Sequence, residues 1–397
     1  MSKTDAQEHN TSIDTKPMKR RAFLRAAAGT GVILAVVVLG LVASPASAAN
    51  SGDGDGMVNL TALDVGQGDA YVIWSENETM VVDSGDYTDN GEQVIKYVSE
   101  TLNRTTIDYL VSTHPDADHI GGHEDIIDHF ENSTDGGIGE VWRSGMSSPS
   151  ATFAGYNNSI SANSIPDNLA RQGDIIPFEA ADVEVAFPKA DPADSSPNDD
   201  SVALYIQDNG SEMLLLGDLP SEEQNEVINY LPHALDGVDL YESPHHGASS
   251  STDATVINYL DPSLSLVSAP YDSSYGHPNN ETLSALADSE IPTVWTGIHG
   301  TTTVVNNGDG VLDVLTQANV TTNTTEMKTF PSDTTASESP TAWNITAQQP
   351  LDTFSKTDDS PVVAAPTDGG SSDGLPVWQL GFGGLIAFFG GAIWRVR

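Results

Sequence analysis

Seven residues, Thr113-His114-Pro115-Asp116-Ala117-Asp118-His119, constrain this chain more than any other stretch. They follow an apolar run, Ile107-Asp108-Tyr109-Leu110-Val111-Ser112, that reads as a β-strand. Two imidazoles and two carboxylates therefore fall within six residues at a strand end, where a sheet can point them into one spot. His nitrogen and Asp oxygen are the atoms that Zn²⁺ and similar divalent ions take. A solvated polar loop could carry the same residues, but the rest of the chain supplies matching partners.

Short apolar or alternating runs predict strands at 58–63, 71–74, 80–82, 109–112, 183–187, 203–207, 213–216, 264–268, 293–296 and 302–305. Helices are expected at 92–102, 122–130, 221–231, 253–260 and 280–288, with Ser221 and Asn280 as N-caps. Strands in two batches, each with its own helices, imply an α+β fold of two packed sheets with helices outside. Asp64-Val65-Gly66-Gln67-Gly68-Asp69-Ala70 turns between two strands, its glycines permitting the tight path. Asp64 and Asp69 can reach a metal shell or only cap that turn; turn capping is the expectation for Asp69. Asp83 ends the next strand and is placed to orient ligand imidazoles from behind.

Charge bears on where such a fold would work. The chain of 397 residues carries 57 acidic and 15 basic side chains, a formal charge of −42. The acids are dispersed, as in proteins that stay hydrated in molar salt, where the Debye length is about 3 Å. A halophilic source is the expectation. With no Cys, disulfides and thiolate metal sites are excluded. Lys19-Arg20-Arg21-Ala22-Phe23-Leu24-Arg25, an apolar run and Ala46-Ser47-Ala48 read as a twin-arginine signal peptide over residues 1–48. Residues 49–318 form the body, and 319–374 a disordered Thr/Ser/Asp/Pro-rich stalk or linker. Residues 375–397 carry an uncharged run closed by Arg395 and Arg397, which predicts a C-terminal transmembrane anchor with the body at the outer face of the membrane, or secreted if that tail is processed.

Six motifs recur in a family's order: Asp64-Val65-Gly66-Gln67-Gly68-Asp69-Ala70, Asp83-Ser84-Gly85, His114 to Gly122, Leu216-Gly217-Asp218-Leu219, Pro244-His245-His246-Gly247-Ala248 and Tyr275-Gly276-His277-Pro278. In this order they resemble the metallo-β-lactamase-fold domain of ComEC/Rec2-type competence proteins, over about residues 57–305. The resemblance implies an αββα sandwich with a metal site at one edge between the sheets. It implies one or two divalent ions, Zn²⁺ or alternatively Mn²⁺. His114 and Asp116 would serve one ion, Asp118 and His119 the other, with Asp218 as the bridge. His245 would complete the second site and His246 contact substrate, although their adjacency leaves the two roles open. Asp118 would also orient the attacking water, and His277 would contact phosphate or the leaving group. The superfamily's usual further His before the bridging Asp is missing; only His123 and His129 lie between His119 and Asp218. His9, His123, His129, His233 and His299 are read as non-ligands.

The implied reaction is hydrolysis of phosphodiesters by metal-bound hydroxide, and the competence resemblance suggests DNA as substrate. Between Met57 and Ala318 the only Lys or Arg are Lys96, Arg104, Arg143, Arg171 and Lys189. Nucleic-acid binding usually leans on a basic track, so two other readings stand beside it. One is hydrolysis of small phosphoesters or lactams, the other a surface binding protein with a degenerate metal site. The expected partners are DNA or another phosphodiester, and the membrane through the C-terminal helix; no obligate protein partner is inferred.

Overall fold

Leu60, Tyr71, Ile73, Met80, Val82 and Val111 face one way while Val72, Trp74, Val81 and Leu110 face the other. That period of two gives the first sheet two apolar faces. Leu204, Ile206, Met213 and Leu215 alternate in the same way with Ala203, Tyr205, Leu214 and Leu216 in the second sheet. The first member of each set meets its counterpart between the sheets; the second member packs under helices. Each fully buried aliphatic side chain contributes about 1.5–3 kcal/mol.

The computed structural model describes residues 57–189, 196–208, 210–231, 237–306, 312–318 and 320–329, with the short segments 349–350 and 395–396. In spatial order the first sheet is β15 (Leu312–Thr316), β14 (Thr302–Asn306), β1 (Asn59–Ala62), β2 (Tyr71–Trp74), β3 (Thr79–Val82), β4 (Thr106–Ser112), β5 (Gly137–Arg143) and β6 (Asp167–Leu169). The second is β13 (Thr293–Trp295), β12 (Leu264–Val267), β11 (Leu240–Glu242), β10 (Ser211–Leu215), β9 (Ala203–Asp208), β8 (Asp182–Phe187) and β7 (Ile175–Ile176). Gln349–Pro350 and Arg395–Val396 also pair with β15.

Over the first sheet lie α1 (Glu92–Lys96, continued by a π-helical turn at Tyr97–Thr101), α2 (His123–Glu131) and α3 (Ala151–Asn163). Over the second lie α4 (Ser221–Tyr230), α5 (Ala254–Leu260) and α6 (Asn280–Asp288). The layers are helix, sheet, sheet, helix. Strands β3 to β6 run parallel, as do β10 to β13. Parallel strands gather their carboxyl ends at one edge, where ligands of such sheets bind. There the chain leaves β3 into Asp83, β4 into Thr113 to His119, β10 into Asp218 and β11 into Ser243 to Gly247.

Several elements differ from the sequence expectation. Strand β5 contains Gly137 and Gly139, which weaken its pattern; a Cβ at Gly139 would sit 2.4 Å from the Asp108 carbonyl, so that glycine permits close pairing with β4. Helix α3 is rich in Asn, Ser and Ala-Gly and has little amphipathic signal. It is held by Ser150, whose hydroxyl accepts from the Phe153 amide, and by buried Tyr156 and Ile160. Ser221 and Asn280 are the first helical residues, not caps; Pro220 and Asn279 precede them without a side-chain cap bond. The Asn279 side chain is committed to the Ser249 amide and the Gly276 carbonyl instead.

The packed body continues beyond residue 318. A helical turn at Thr324–Met327 buries Thr324 and Met327, and the Thr324 hydroxyl donates to the Leu283 carbonyl. The expected signal peptide over 1–48 lies outside the described residues, as do the remainder of the linker and the anchor apart from the two short pairs above. Among the described residues no helix is long and apolar enough to cross a membrane.

Candidate metal centre

Asp218 is buried at the carboxyl edge, and each of its oxygens faces a different set of side chains. Oδ2 lies 3.7 Å from His114 Nε2 and 3.5 Å from His245 Nε2. Oδ1 lies 3.2 Å from His119 Nε2 and 3.7 Å from His246 Nε2. Asp116 Oδ2 joins the first set, 3.7 Å from His114 Nε2, and Asp118 Oδ2 the second, 3.4 Å from His246 Nε2.

The local chain path is built for this convergence. Gly217, with φ of 55°, turns the chain out of β10 against the Thr113 side chain. The buried Glu242 carboxylate accepts from the Leu216 and Gly217 amides through Oε2, fixing the turn that carries Asp218. His245 and His246 both adopt left-handed backbone, at φ of 52° and 57°, followed by Gly247 at 76°. Left-handed non-glycine residues cost free energy and cluster at functional sites; here the strain turns two adjacent imidazoles to one carboxylate. Gly68 lies where a Cβ would be 1.9 Å from the Asp118 carbonyl, so only glycine lets the first turn approach the ligand loop.

Behind the imidazoles, hydrogen bonds fix which nitrogen is free. Thr113 donates its hydroxyl to Asp83 Oδ2 (2.5 Å) and its amide to Asp83 Oδ1 (2.8 Å). With that proton spent, Thr113 Oγ1 accepts from His114 Nδ1 at 3.1 Å. His119 Nδ1 donates to Asp83 Oδ2 at 2.7 Å, and His246 Nδ1 to the Ser268 carbonyl at 3.1 Å. All three rings therefore turn Nε2 towards Asp218. These three Nε2 atoms and Asp218 Oδ1 are buried and lack a hydrogen-bond partner of good geometry. Converging orphan donors of this chemistry fit a divalent cation.

Burial pushes His119 down, but Asp218 and Asp83 outweigh it and hold the ring well above its ordinary value. Burial of His246 is likewise outweighed by Asp218 and Asp69, which raise it. For Asp218 burial acts upward, yet His119 and His246 hold the carboxyl well below its usual range. Asp118 is held low in the same way, burial being outweighed by His246 and His119. Burial, then His119, lowers His114 to about 3. Burial raises Asp116. The raised His119 and His246 and the lowered Asp118 and Asp218 favour opposite charges on neighbouring groups, and a divalent ion at the same place would compete with the imidazole protons.

The metal-ligand candidates read from the sequence come together at this edge. His114, His119, His245 and His246 converge on Asp218, and Asp116 and Asp118 join them through His114 and His246. His246, expected from the sequence to contact substrate, is fully buried with a bare Nε2, whereas His245 is the more open of the pair, with its side chain 30% exposed. His277 lies alongside, its ring centroid 5.5 Å from His245 and 6.2 Å from His246; burial, then His246 and His245, lowers it to about 4. Asp64 caps its turn, accepting from the Gly66 amide. Asp69 does not behave as a turn cap. It is buried with Oδ1 3.3 Å from His246 Nδ1 and Oδ2 3.8 Å from His119 Nδ1. Asp69, His119, Asp218 and His246 also form a group whose ligand atoms lie within 4.8 Å of one another. Since Asp69 meets the Nδ1 edges, we place it behind the rings. Glu242 is not legible as a site residue from sequence; its one signal is an acid ending the apolar Leu240-Tyr241 pair. His123 is buried and bonded to Ser84, and His299 to the Trp295 backbone, away from the cluster.

The metallo-beta-lactamase superfamily model matches residues 63–268, and the chain belongs to that superfamily. Its members are generally metal-dependent hydrolases that bind divalent metals. The chain is similar to ComE operon protein 3 of Bacillus subtilis, 26% identical over 255 residues, covering 60% of this chain and 32% of that protein. It is also similar to Recombination protein 2 of Haemophilus influenzae, 25% identical over 212 residues, covering 53% of this chain and 24% of that protein. It thus spans about a third or less of the curated relatives it matches. Among solved structures, the metallo-beta-lactamase fold protein YhfI of Bacillus subtilis is 11% identical at a TM-score of 0.40, covering 57% of this chain and 93% of that one. Unliganded yeast PDE1 is 11% identical at 0.38, covering 60% and 97%.

Asp83 accepts from His119 and organises Thr113 behind His114, so Asp83→Asn is expected to weaken metal affinity about 10–100-fold with the fold intact. Competition against a chelator, beside a circular-dichroism spectrum, checks this; unchanged affinity would refute the orienting role.

Proposed function

We propose that this chain is an exported metal-dependent phosphodiesterase that cleaves DNA, held at the outer face of the membrane by its C-terminal segment. The carrying observation is Asp218, whose two oxygens face two separate sets of His and Asp side chains. His114, Asp116 and His245 with Oδ2 would hold one ion. His119, Asp118 and His246 with Oδ1 would hold a second. On this assignment the adjacent His245 and His246 serve one ion each, and His245 stands in for the superfamily His missing from the sequence. The carboxylate share suits Mn²⁺ as well as Zn²⁺.

Bound divalent ions would lower the pKa of water to about 7 and neutralise charge on phosphate. The chain's own groups do the rest. Asp118 stays ionised and is held by Gln67 Nε2 at 3.3 Å, so it can orient the attacking water. His277 is neutral at pH 7 and can hydrogen-bond a phosphoryl or leaving-group oxygen. DNA as substrate is supported by the similarity to a relative named for recombination, Recombination protein 2 of Haemophilus influenzae.

One observation favours small phosphoesters as a second reading. Arg143 is paired with Asp167, Arg104 and Arg171 donate to backbone carbonyls, and Lys189 and Lys96 pair with Glu226 and Glu92. No basic track is left among them. The test is degradation of single- and double-stranded DNA by the full chain in molar KCl, with Mn²⁺ or Zn²⁺, beside Asp118→Ala. Metal-dependent cleavage lost in the variant is the expected result. Hydrolysis of small phosphodiesters without DNA cleavage would move the assignment to the second reading.

A further inference from the structure

We infer that Tyr275 is a stacking platform for an unpaired base next to the scissile phosphate, so that the site takes single-stranded nucleic acid with little help from charge. The inference rests on the phosphodiesterase reading and names the substrate form of that same site. Tyr275 is 68% exposed, the most open of the large hydrophobic side chains described. Its ring lies nearly parallel to His277, with centroids 6.0 Å apart and planes 28° apart. His277 in turn lies beside His245 and His246. The exposed ring is therefore one aromatic step out from the imidazoles that face Asp218.

The loop that presents this ring is tied down on all sides. Tyr271, at its start, stacks on buried Trp295 at 5.6 Å. The Ser273 hydroxyl donates to Gln67, the residue that also holds Asp118, and accepts from the Tyr275 amide. Asn279, at its end, binds the Gly247 carbonyl, the Ser249 amide and the Gly276 carbonyl. Lys328 donates to the Pro278 carbonyl. A large exposed ring on a rigid loop keeps its apolar face in water at a cost, and pre-organisation of that kind lowers the entropy lost on binding. Base stacking tolerates any sequence and does not depend on screened charge. It is an interaction open to a chain of net charge −42 whose Lys96, Arg104, Arg143, Arg171 and Lys189 are engaged by carboxylates or backbone carbonyls and whose Lys328 is bonded to this loop's own carbonyls.

The test is steady-state cleavage of a single-stranded oligonucleotide by the full chain in molar KCl with Mn²⁺, comparing Tyr275→Ala and Tyr275→Phe with wild type. Alanine is expected to raise KM about 10–100-fold with little change in kcat, and phenylalanine to restore it. KM for wild type should also change little with KCl concentration. Unchanged KM in the alanine variant, with DNA still cleaved, overturns the platform and leaves the nuclease reading intact. Equal loss in both variants overturns it too, since it would assign the effect to the hydroxyl. Hydrolysis of small phosphodiesters but no oligonucleotide cleavage by wild type overturns the nuclease reading and the platform with it.

Discussion

Asp218→Ala is expected to abolish metal retention and to lower phosphodiester hydrolysis about 100–1,000-fold, the scale set by losing one preorganised electrostatic group. One carboxylate carries this weight because its two oxygens face different donor sets. The metal-free protein should suffer as well. His119 and His246 owe their raised proton affinity first to Asp218 among the charges around them. Removing it leaves two buried imidazolium groups with less compensation, and breaking one side of a buried ion pair costs about 3–5 kcal/mol. Asp218→Asn keeps the volume and separates shape from charge. Metal analysis after dialysis and thermal melting in EDTA are the measurements. A variant that retains two ions per chain, with activity within tenfold of wild type, would remove Asp218 from the bridging role.

The parts of this site legible in the sequence are those written in one short stretch. His114, Asp116, Asp118 and His119 follow an apolar strand, and a strand end fixes direction, so their convergence follows from the sequence alone. Asp218, at the end of β10, is legible through the family resemblance of Leu216-Gly217-Asp218-Leu219. The sharing of roles between His245 and His246 is not, because it depends on two successive left-handed residues that no local pattern announces. Asp69 reads as a turn cap because its neighbours are turn glycines; only the packing of the first sheet against the second brings it beneath His246. Glu242 holds the Asp218 turn across parallel strands 26 residues apart in sequence, a long-range contact without periodicity. Among the elements, α3 gives little sequence signal because its helix is maintained by tertiary burial rather than by propensity. The extension to residue 329 is hidden by a composition that resembles the linker.

The metal-free protein is expected to lose stability as pH rises above about 6.5, the ordinary imidazole value. The groups that set this slope are His119 and His246, whose folded-state values lie well above it. Between the unfolded and folded values the folded chain binds more protons, so stability is fully present below about 6.5 and falls as pH climbs through the folded values. Glu242, raised by burial and then by Asp69, acts with the same sign over its own window above the usual carboxylate range. His114, His123, His277 and His299 are lowered, to about 3 or 4, and act oppositely. Their contribution grows with pH only up to about 6.5 and is constant beyond it. Asp118 and Asp218, held low, are ionised in both states there and add no slope. Above about 6.5 the raised groups therefore decide the sign. A divalent ion reverses it, because the cation takes the place of the protons on His119 and His246, and occupancy then rises with pH. Melting temperatures between about pH 6 and 9 at constant molar KCl, in EDTA and in excess Mn²⁺, should slope in opposite directions. A flat or rising profile in EDTA would mean that these imidazoles are not protonated in the metal-free fold, and that the carboxylate bowl is neutralised some other way.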